Sequence, residues 1–142
     1  MELHPDCIRD VLIYLEDNLR FYDDEHGRMV LQPIGWKQIS EDETLDQKYL
    51  VEDIKYAIFQ LHKAGLIVGS KTAGGPGIYS IDVEDITWIG HELLGNIHGE
   101  EVWKETKSVA AKIGGVSLKA LESIASGVTS AIIQRTLGGQ QP

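Results

Sequence analysis

YLVEDIKYAIFQLHKAGLIVGSKTAGGPGIY, residues 49–79, is the stretch around which the rest of the chain is organised. Leu50, Ile54, Ile58 and Leu61 recur on one stripe while Glu52, Asp53, Lys55 and Lys63 project elsewhere, which predicts an amphipathic helix from about Leu50 to Ala64. Gly65 stands where a left-handed residue would end that helix, and Leu66 can fold back onto Leu61 in a Schellman arrangement. Acids in the first turn and His62 with Lys63 in the last suit the helix dipole. Downstream, Leu66–Lys71 and Gly77–Val83 read as a hairpin with TAGGPG at its tip, where glycines supply positive φ angles. A phosphate-cradling loop would need a helix to begin directly after the glycines. A second strand follows instead.

Towards the N-terminus, Pro5 suits the first turn of a helix, and Ile8, Val11, Leu12, Leu15 and Leu19 then share a face until the helix stops near Leu19 or Arg20. Cys7 lies beside this stripe and reads as a buried, inert thiol. Tyr22–Gly27 reads as an acidic connection closed by a turn glycine. Met29–Ile39 is rich in apolar and β-branched residues, and Pro33 within it predicts an irregular edge strand. Ser40 and Glu43 have capping-box spacing, so Glu41–Gln47 is either a short helix or a surface loop.

Towards the C-terminus, Asp85 or Thr87 can cap a helix carrying Trp88, Ile89, His91, Leu93, Leu94 and Ile97, which NIHG breaks. Val102, Thr106, Val109, Ala110 and Ile113 mark another helix, ended by Gly114 and Gly115. Ser117 caps the last, whose Leu118, Leu121, Ile124, Ala125, Val128 and Ile132 form a broad apolar face. No charge stands between Ser123 and Gln134. That face either packs within its own domain or pairs with its copy in another subunit, and its residues are the candidate oligomer interface. The polar side lacks the basic row of a membrane-surface helix.

A chain of 142 residues suits one ordinary domain and a core that needs no metal or disulfide. The single cysteine, the absence of a basic leader and the absence of an apolar run of about 18 residues point to a soluble, cytoplasmic protein. The formal charge is −9, and residues 1–27 hold eight acids against Arg9 and Arg20, whereas residues 100–142 are near neutral. This is the wrong global sign for a nucleic-acid binder. The five histidines, His4, His26, His62, His91 and His98, show no metal-ligand spacing, and His91 with Glu92 do not share a helix face. No nucleotide-binding or nucleophile motif occurs, so the chain reads as non-enzymatic, with no cofactor, metal or small-molecule ligand inferred. Trp36, Trp88 and Trp103 lie among apolar neighbours and read as packing or interface residues rather than base-stacking ones.

Helix, strand, helix and a glycine-tipped ribbon is the element order of a winged helix. IKYAIFQLHKAGLIVG, from Ile54 to Gly69, looks like the end of a bacterial winged-helix recognition helix, with Leu61, Gly65, Leu66 and Ile67 filling L-x-x-x-G-L-I. Over most of its length the chain also resembles the small bacterial and phage proteins of domain of unknown function 2513. The resemblance is carried by HPDCIRDVLIYLE from His4, YLVEDIKYAIFQLHKAGLI from Tyr49, DITWIGHELLGNI from Asp85, VWKETK from Val102 and GGVSLKALESIAS from Gly114. It implies a winged-helix-like front half, a helical tail and an association with mobile elements, and no activity or catalytic residue. Where the family tends to have Ser and then Tyr-His in the central helix, this chain has Leu50 and Tyr56-Ala57.

The expected fold is therefore α+β and mostly helical, with a winged-helix-like domain over 1–84 and a helical extension over 85–142 that serves oligomerisation. Two functions compete. In the first, a homo-oligomeric transcriptional regulator places Lys55, Tyr56, Gln60 and Lys63 in the major groove and Lys71 of the wing beside the backbone, with Glu52 and Asp53 opposing. In the second, the same fold is a protein-interaction module whose acidic front surface meets a basic partner without binding DNA, while the tail makes a homo-oligomer.

Overall fold

Pro5 occupies the first turn of α1 (Pro5–Asn18), where its missing N–H leaves no hydrogen bond unmade, and Cys7, Ile8, Val11, Leu12 and Leu15 are buried along one side. The computed structural model describes residues 2–114 and 117–138, which fall into two units, Met1–His91 and Glu92–Pro142. The fold is α+β and mostly helical, with two small antiparallel sheets.

After α1 the chain forms β1 (Arg20–Asp23), turns, and returns as β2 (Met29–Gln32), with Phe21 opposite Leu31 and Tyr22 opposite Val30. The acidic connection expected over residues 22–27 is thus partly strand, and its remainder makes the turn. There Asp24 accepts from the amides of His26 and Arg28 and from the Arg28 guanidinium at 2.6 Å. Gly27 takes φ +74°. These contacts hold the Asp24 carboxyl below the usual range, the Arg28 amide most of all.

The single strand expected over Met29–Ile39 is interrupted at Pro33, which has no N–H to give a ladder. β2 stops at Gln32, β3 is only Ile34–Gly35, and α2 takes Trp36–Ser40. Ser40 does not cap the helix that follows. Its hydroxyl donates to the Lys37 carbonyl, and Asp42 caps α3 (Glu43–Lys48) by accepting the Leu45 amide at 3.2 Å.

α4 (Val51–Lys63) buries Ile54, Ala57, Ile58 and Leu61. Two expectations fail at its start. Leu50 is the N-cap, ahead of the first turn, and is 64% exposed. Asp53 turns inward, where it accepts the Glu2 amide at 3.1 Å and lies 3.3 Å from His4 Nε2. The helix ends as a Schellman motif: Gly65 takes φ +77°, the Leu66 amide donates to the Leu61 carbonyl, the Gly65 amide to that of His62, and Leu66 is buried.

β4 (Ile67–Gly74) and β5 (Gly77–Ile86) form a hairpin longer than expected on both arms, so that only Gly75 and Pro76 remain at the tip. β3 lies on the far side of β5, giving the order β3-β5-β4. Register shifts at Val68/Gly69 and Thr72/Ala73 break the regularity of the outer strand, which makes it a poor template for a further strand. The core of this unit sits where α1, α2 and α4 meet the three-stranded sheet.

Thr87 precedes α5 (Trp88–Ile97), its hydroxyl accepting the Gly90 amide and donating to the Gly65 carbonyl. A Cβ on Gly90 would stand 2.1 Å from the Leu66 carbonyl oxygen, so only glycine allows this approach. Trp88 and Ile89, expected on the apolar stripe, are exposed.

In the second unit Leu93, Leu94 and Ile97 are buried. α6 (Glu100–Ile113) buries Trp103, Thr106 and Ala110 and ends at Gly114, which has φ +87°. Gly115 of the expected double-glycine stop lies outside the described residues. The Ser117 hydroxyl accepts the Ala120 amide, and α7 (Leu118–Gly138) packs on α6. Among the described residues no helix is long and apolar enough to cross a membrane.

Candidate functional site

With its inner stripe committed to the core, α4 presents Glu52, Lys55, Tyr56 and Phe59 on the opposite side, at the spacing of three and four that aligns helix side chains. Trp36 of α2 and Pro76 with Ile78 of the hairpin face them. Together they line an open groove of about 440 Å³. Its walls are three aromatic rings, a proline and an isoleucine. Glu52 and Lys55 are its charged members.

Local contacts set the walls. The Trp36 indole N–H donates to the Tyr79 carbonyl at 3.3 Å, which joins α2 to β5. Lys55 Nζ lies 5.4 Å from the centre of the Trp36 ring, within reach of its negative face. His62 Nε2 donates to the Gly69 carbonyl at 3.1 Å, fixing the root of the hairpin against the end of α4. The hairpin is thus tied to α2 near its tip and to α4 near its root.

The structure gathers only part of the expected nucleic-acid surface. Lys55 and Tyr56 line the groove, whereas Gln60 is half-buried, Lys63 is exposed in the last turn of α4, and Lys71 is exposed on β4 opposite Ile81. The charge balance of this unit is adverse as well, with eight Lys and Arg against seventeen Asp and Glu, so the whole of the −9 resides here. Of the six candidate interface residues on α7, Leu118, Leu121, Ala125 and Val128 are already buried within the single chain, and Ile124 and Ile132 are half-buried. The large apolar residues of α7 left exposed are Ile133 and Leu137.

Phe59, Pro76 and Ile78 were not among the residues expected at a site. Phe59 had a signal, since it stands three residues after Tyr56 and four after Lys55 on one stripe. Pro76 and Ile78 had none, because their place depends on how the hairpin folds against α4.

A second polar cluster is structural. The Tyr49 hydroxyl donates to Asp10 at 2.7 Å and Lys48 Nζ lies 3.3 Å from the same carboxylate oxygen. Burial, then the bond to Asp10, pushes the Tyr49 phenol upward. Burial first, and then the charges of Asp10 and Asp53, push the Cys7 thiol up to about 12, which leaves it protonated and unreactive. Among the described residues no group of three His, Cys, Asp or Glu is placed to hold a metal ion.

Residues 2–117 match the family described as Hypothetical protein (DUF2513). The chain belongs to this family. No curated protein and no solved structure matches it. The DUF2513 match includes every residue lining the groove and ends one residue before α7 begins.

Proposed function

We propose that Met1–His91 is a winged helix used to bind another protein through the groove between α4 and the β4–β5 hairpin, that α7 adds self-association, and that neither role is catalytic. Topology supports the winged helix. The order α1, β3, α2 with α3, α4, β4, β5 places a hairpin directly after the third helical segment, the sheet order is β3-β5-β4, and β1–β2 is an insertion between α1 and β3. The observation that carries the partner class is the groove itself. Its walls are aromatic and apolar, and the unit that bears it is strongly acidic. Aromatic anchors in a desolvated cleft suit a protein interface, while phosphate binding draws on clustered lysine and arginine.

Duplex DNA is the second reading. The same topology favours it, and so does the fact that Lys63 and Lys71 form no ion pair among the described residues, unlike Lys48 and Arg28. Fluorescence anisotropy of the full chain against mixed duplexes at about 20 mM salt, where screening is weakest, separates the two. Protein binding predicts no saturable affinity for DNA. Binding whose log K falls with log[salt], and which Lys63→Glu with Lys71→Glu abolishes, would replace it with the DNA reading. For α7, sedimentation velocity should show an oligomer that Ile133→Asp with Leu137→Asp converts to a monomer. An unaltered distribution would remove self-association through this helix.

A further inference from the structure

Resting on the self-association reading of α7, we infer that this helix is exchanged between copies, each α7 lying on the α6 of a second chain along the face it covers in its own. The seam itself chooses the occupant. Leu118, Leu121, Ala125 and Val128 are buried on α7, whose substantial packing among the described residues is on α6 alone. Arg135 of α7 lies 3.3 Å from Glu105 of α6. A surface that fits one α7 fits another of the same sequence, so exchange conserves these contacts and needs no new complementarity. Four of the six residues expected at an interface between copies are therefore the four that the single chain buries, and both roles use one face.

α7 is also the element best placed to move. Because it packs on one neighbour, it separates from the fold along a single seam. The Glu105–Arg135 pair across that seam is exposed on both sides and therefore weak. The start of the helix is closed locally, the Ser117 hydroxyl accepting the Ala120 amide, and that bond travels with α7. Four residues, 114–117, join the two helices, and the first, Gly114, holds φ +87°, a conformation that glycine leaves at little cost. So short a connection must turn back at once, and opening it onto a second chain removes that constraint. The closed chain leaves Ile133 and Leu137 exposed towards the end of α7. Two exchanged helices in one assembly give these side chains a place to be covered, a gain that offsets the entropy lost on association. The segment shared with DUF2513 ends at residue 117, so α6 is its last helix and α7 lies beyond it.

The test uses the full chain carrying Arg135→Lys, which keeps the charge and gives a carbodiimide an amine to join to the Glu105 carboxylate. Ordinary and heavy-isotope-labelled chains are mixed in equal amounts, unfolded in urea, refolded together, sized by sedimentation velocity, linked and digested. Exchange predicts an oligomer in which about half of the Glu105-linked peptide pairs combine a light chain with a heavy one. Inserting about six glycine and serine residues between Gly114 and Ser117 relaxes the turn and should shift that oligomer towards monomer. Self-association through an α7 kept on its own α6 would show neither effect. Linked pairs of one isotope only, in a species that is still oligomeric, overturn exchange and leave the self-association reading standing. A strict monomer removes both. The absence of any link would mean that α7 does not place its Arg135 position beside Glu105 in either form, and exchange along this seam falls.

Discussion

α4 and α6 are built from similar sequence signals. Each opens with a pair of acids in the first turn, each ends on a glycine in the left-handed region, and they span Val51–Lys63 and Glu100–Ile113. Their apolar residues fare differently. In α4 the whole inner stripe, Ile54, Ala57, Ile58 and Leu61, is excluded from solvent, and Leu66 follows it into the core beyond the terminal glycine. In α6 only Trp103, Thr106 and Ala110 are buried, and Ile113 in the last turn is 61% exposed. Caps and periodicity therefore specify where a helix begins and ends. What covers its apolar side is decided by elements distant in sequence, which among the described residues enclose the stripe of α4 fully and leave Ile113 of α6 exposed.

The difference can be broken most directly by truncating one residue in each helix. Ile58→Ala should lower the stability of the chain by about 2–5 kcal/mol in urea unfolding, because a fully enclosed side chain leaves a cavity behind. Ile113→Ala should change it by no more than about 0.5 kcal/mol. Losses of equal size would mean that Ile113 is covered in solution by something outside the single chain, and the contrast between the helices would then be one between an internal core and an assembled one.

Buried hydroxyls sharpen the same comparison at a smaller scale. Ser40 is buried near the end of α2, and its hydroxyl donates to the Lys37 carbonyl at 2.8 Å. Thr106 in α6 is fully buried, and its hydroxyl has no partner among the described residues. Ser40→Ala should therefore destabilise by about 1 kcal/mol, while Thr106→Val, which exchanges an unsatisfied hydroxyl for a methyl of similar size, should stabilise by a similar amount. If Thr106→Val instead destabilises, the hydroxyl has a partner in solution, and α6 is better satisfied than the isolated chain suggests.

The elements read correctly from sequence were those whose signals are local. Pro5 and the stripe from Ile8 to Leu15 place α1, Gly65 with Leu66 fixes the end of α4, and the glycines near residue 75 mark the hairpin. The errors share a physical cause. β1 was hidden because Phe21 and Tyr22 sit in an acid-rich run, and pairing with Val30 and Leu31 supplies a reason to be strand that their own neighbours do not. Asp53 looked solvent-facing because the Glu2 amide that holds it inward comes from the far end of the unit. The groove was half legible for the same reason. Lys55 and Tyr56 lie on one readable helix face, but the opposing wall of Pro76 and Ile78 exists only once the hairpin has folded.

The smallest expected effect concerns the acids that open the two helices. Glu101 in the first turn of α6 is exposed, so its favourable dipole interaction is screened by water. Asp53 occupies the corresponding turn of α4 but accepts the Glu2 amide and lies beside His4, and the amide first, then the His4 hydrogen bond and charge, hold its carboxyl below the usual range against the opposing pull of burial. A carboxyl depressed by folding stabilises the native state at all pH values above its unfolded pKa of about 3.9. That contribution disappears as pH falls through the lower, folded value. Asp53→Asn should therefore be less stable than the native chain at pH 5, and the two should converge below about pH 3. Glu101→Gln, at an exposed position, should lie within about 0.5 kcal/mol of the native chain at pH 7. Urea midpoints at pH 7, 5 and 3 read both variants. A native-minus-Asp53→Asn gap that persists unchanged at pH 3 would mean that the aspartate acts through its shape and not its charge, and would leave the start of the chain held to α4 by packing alone.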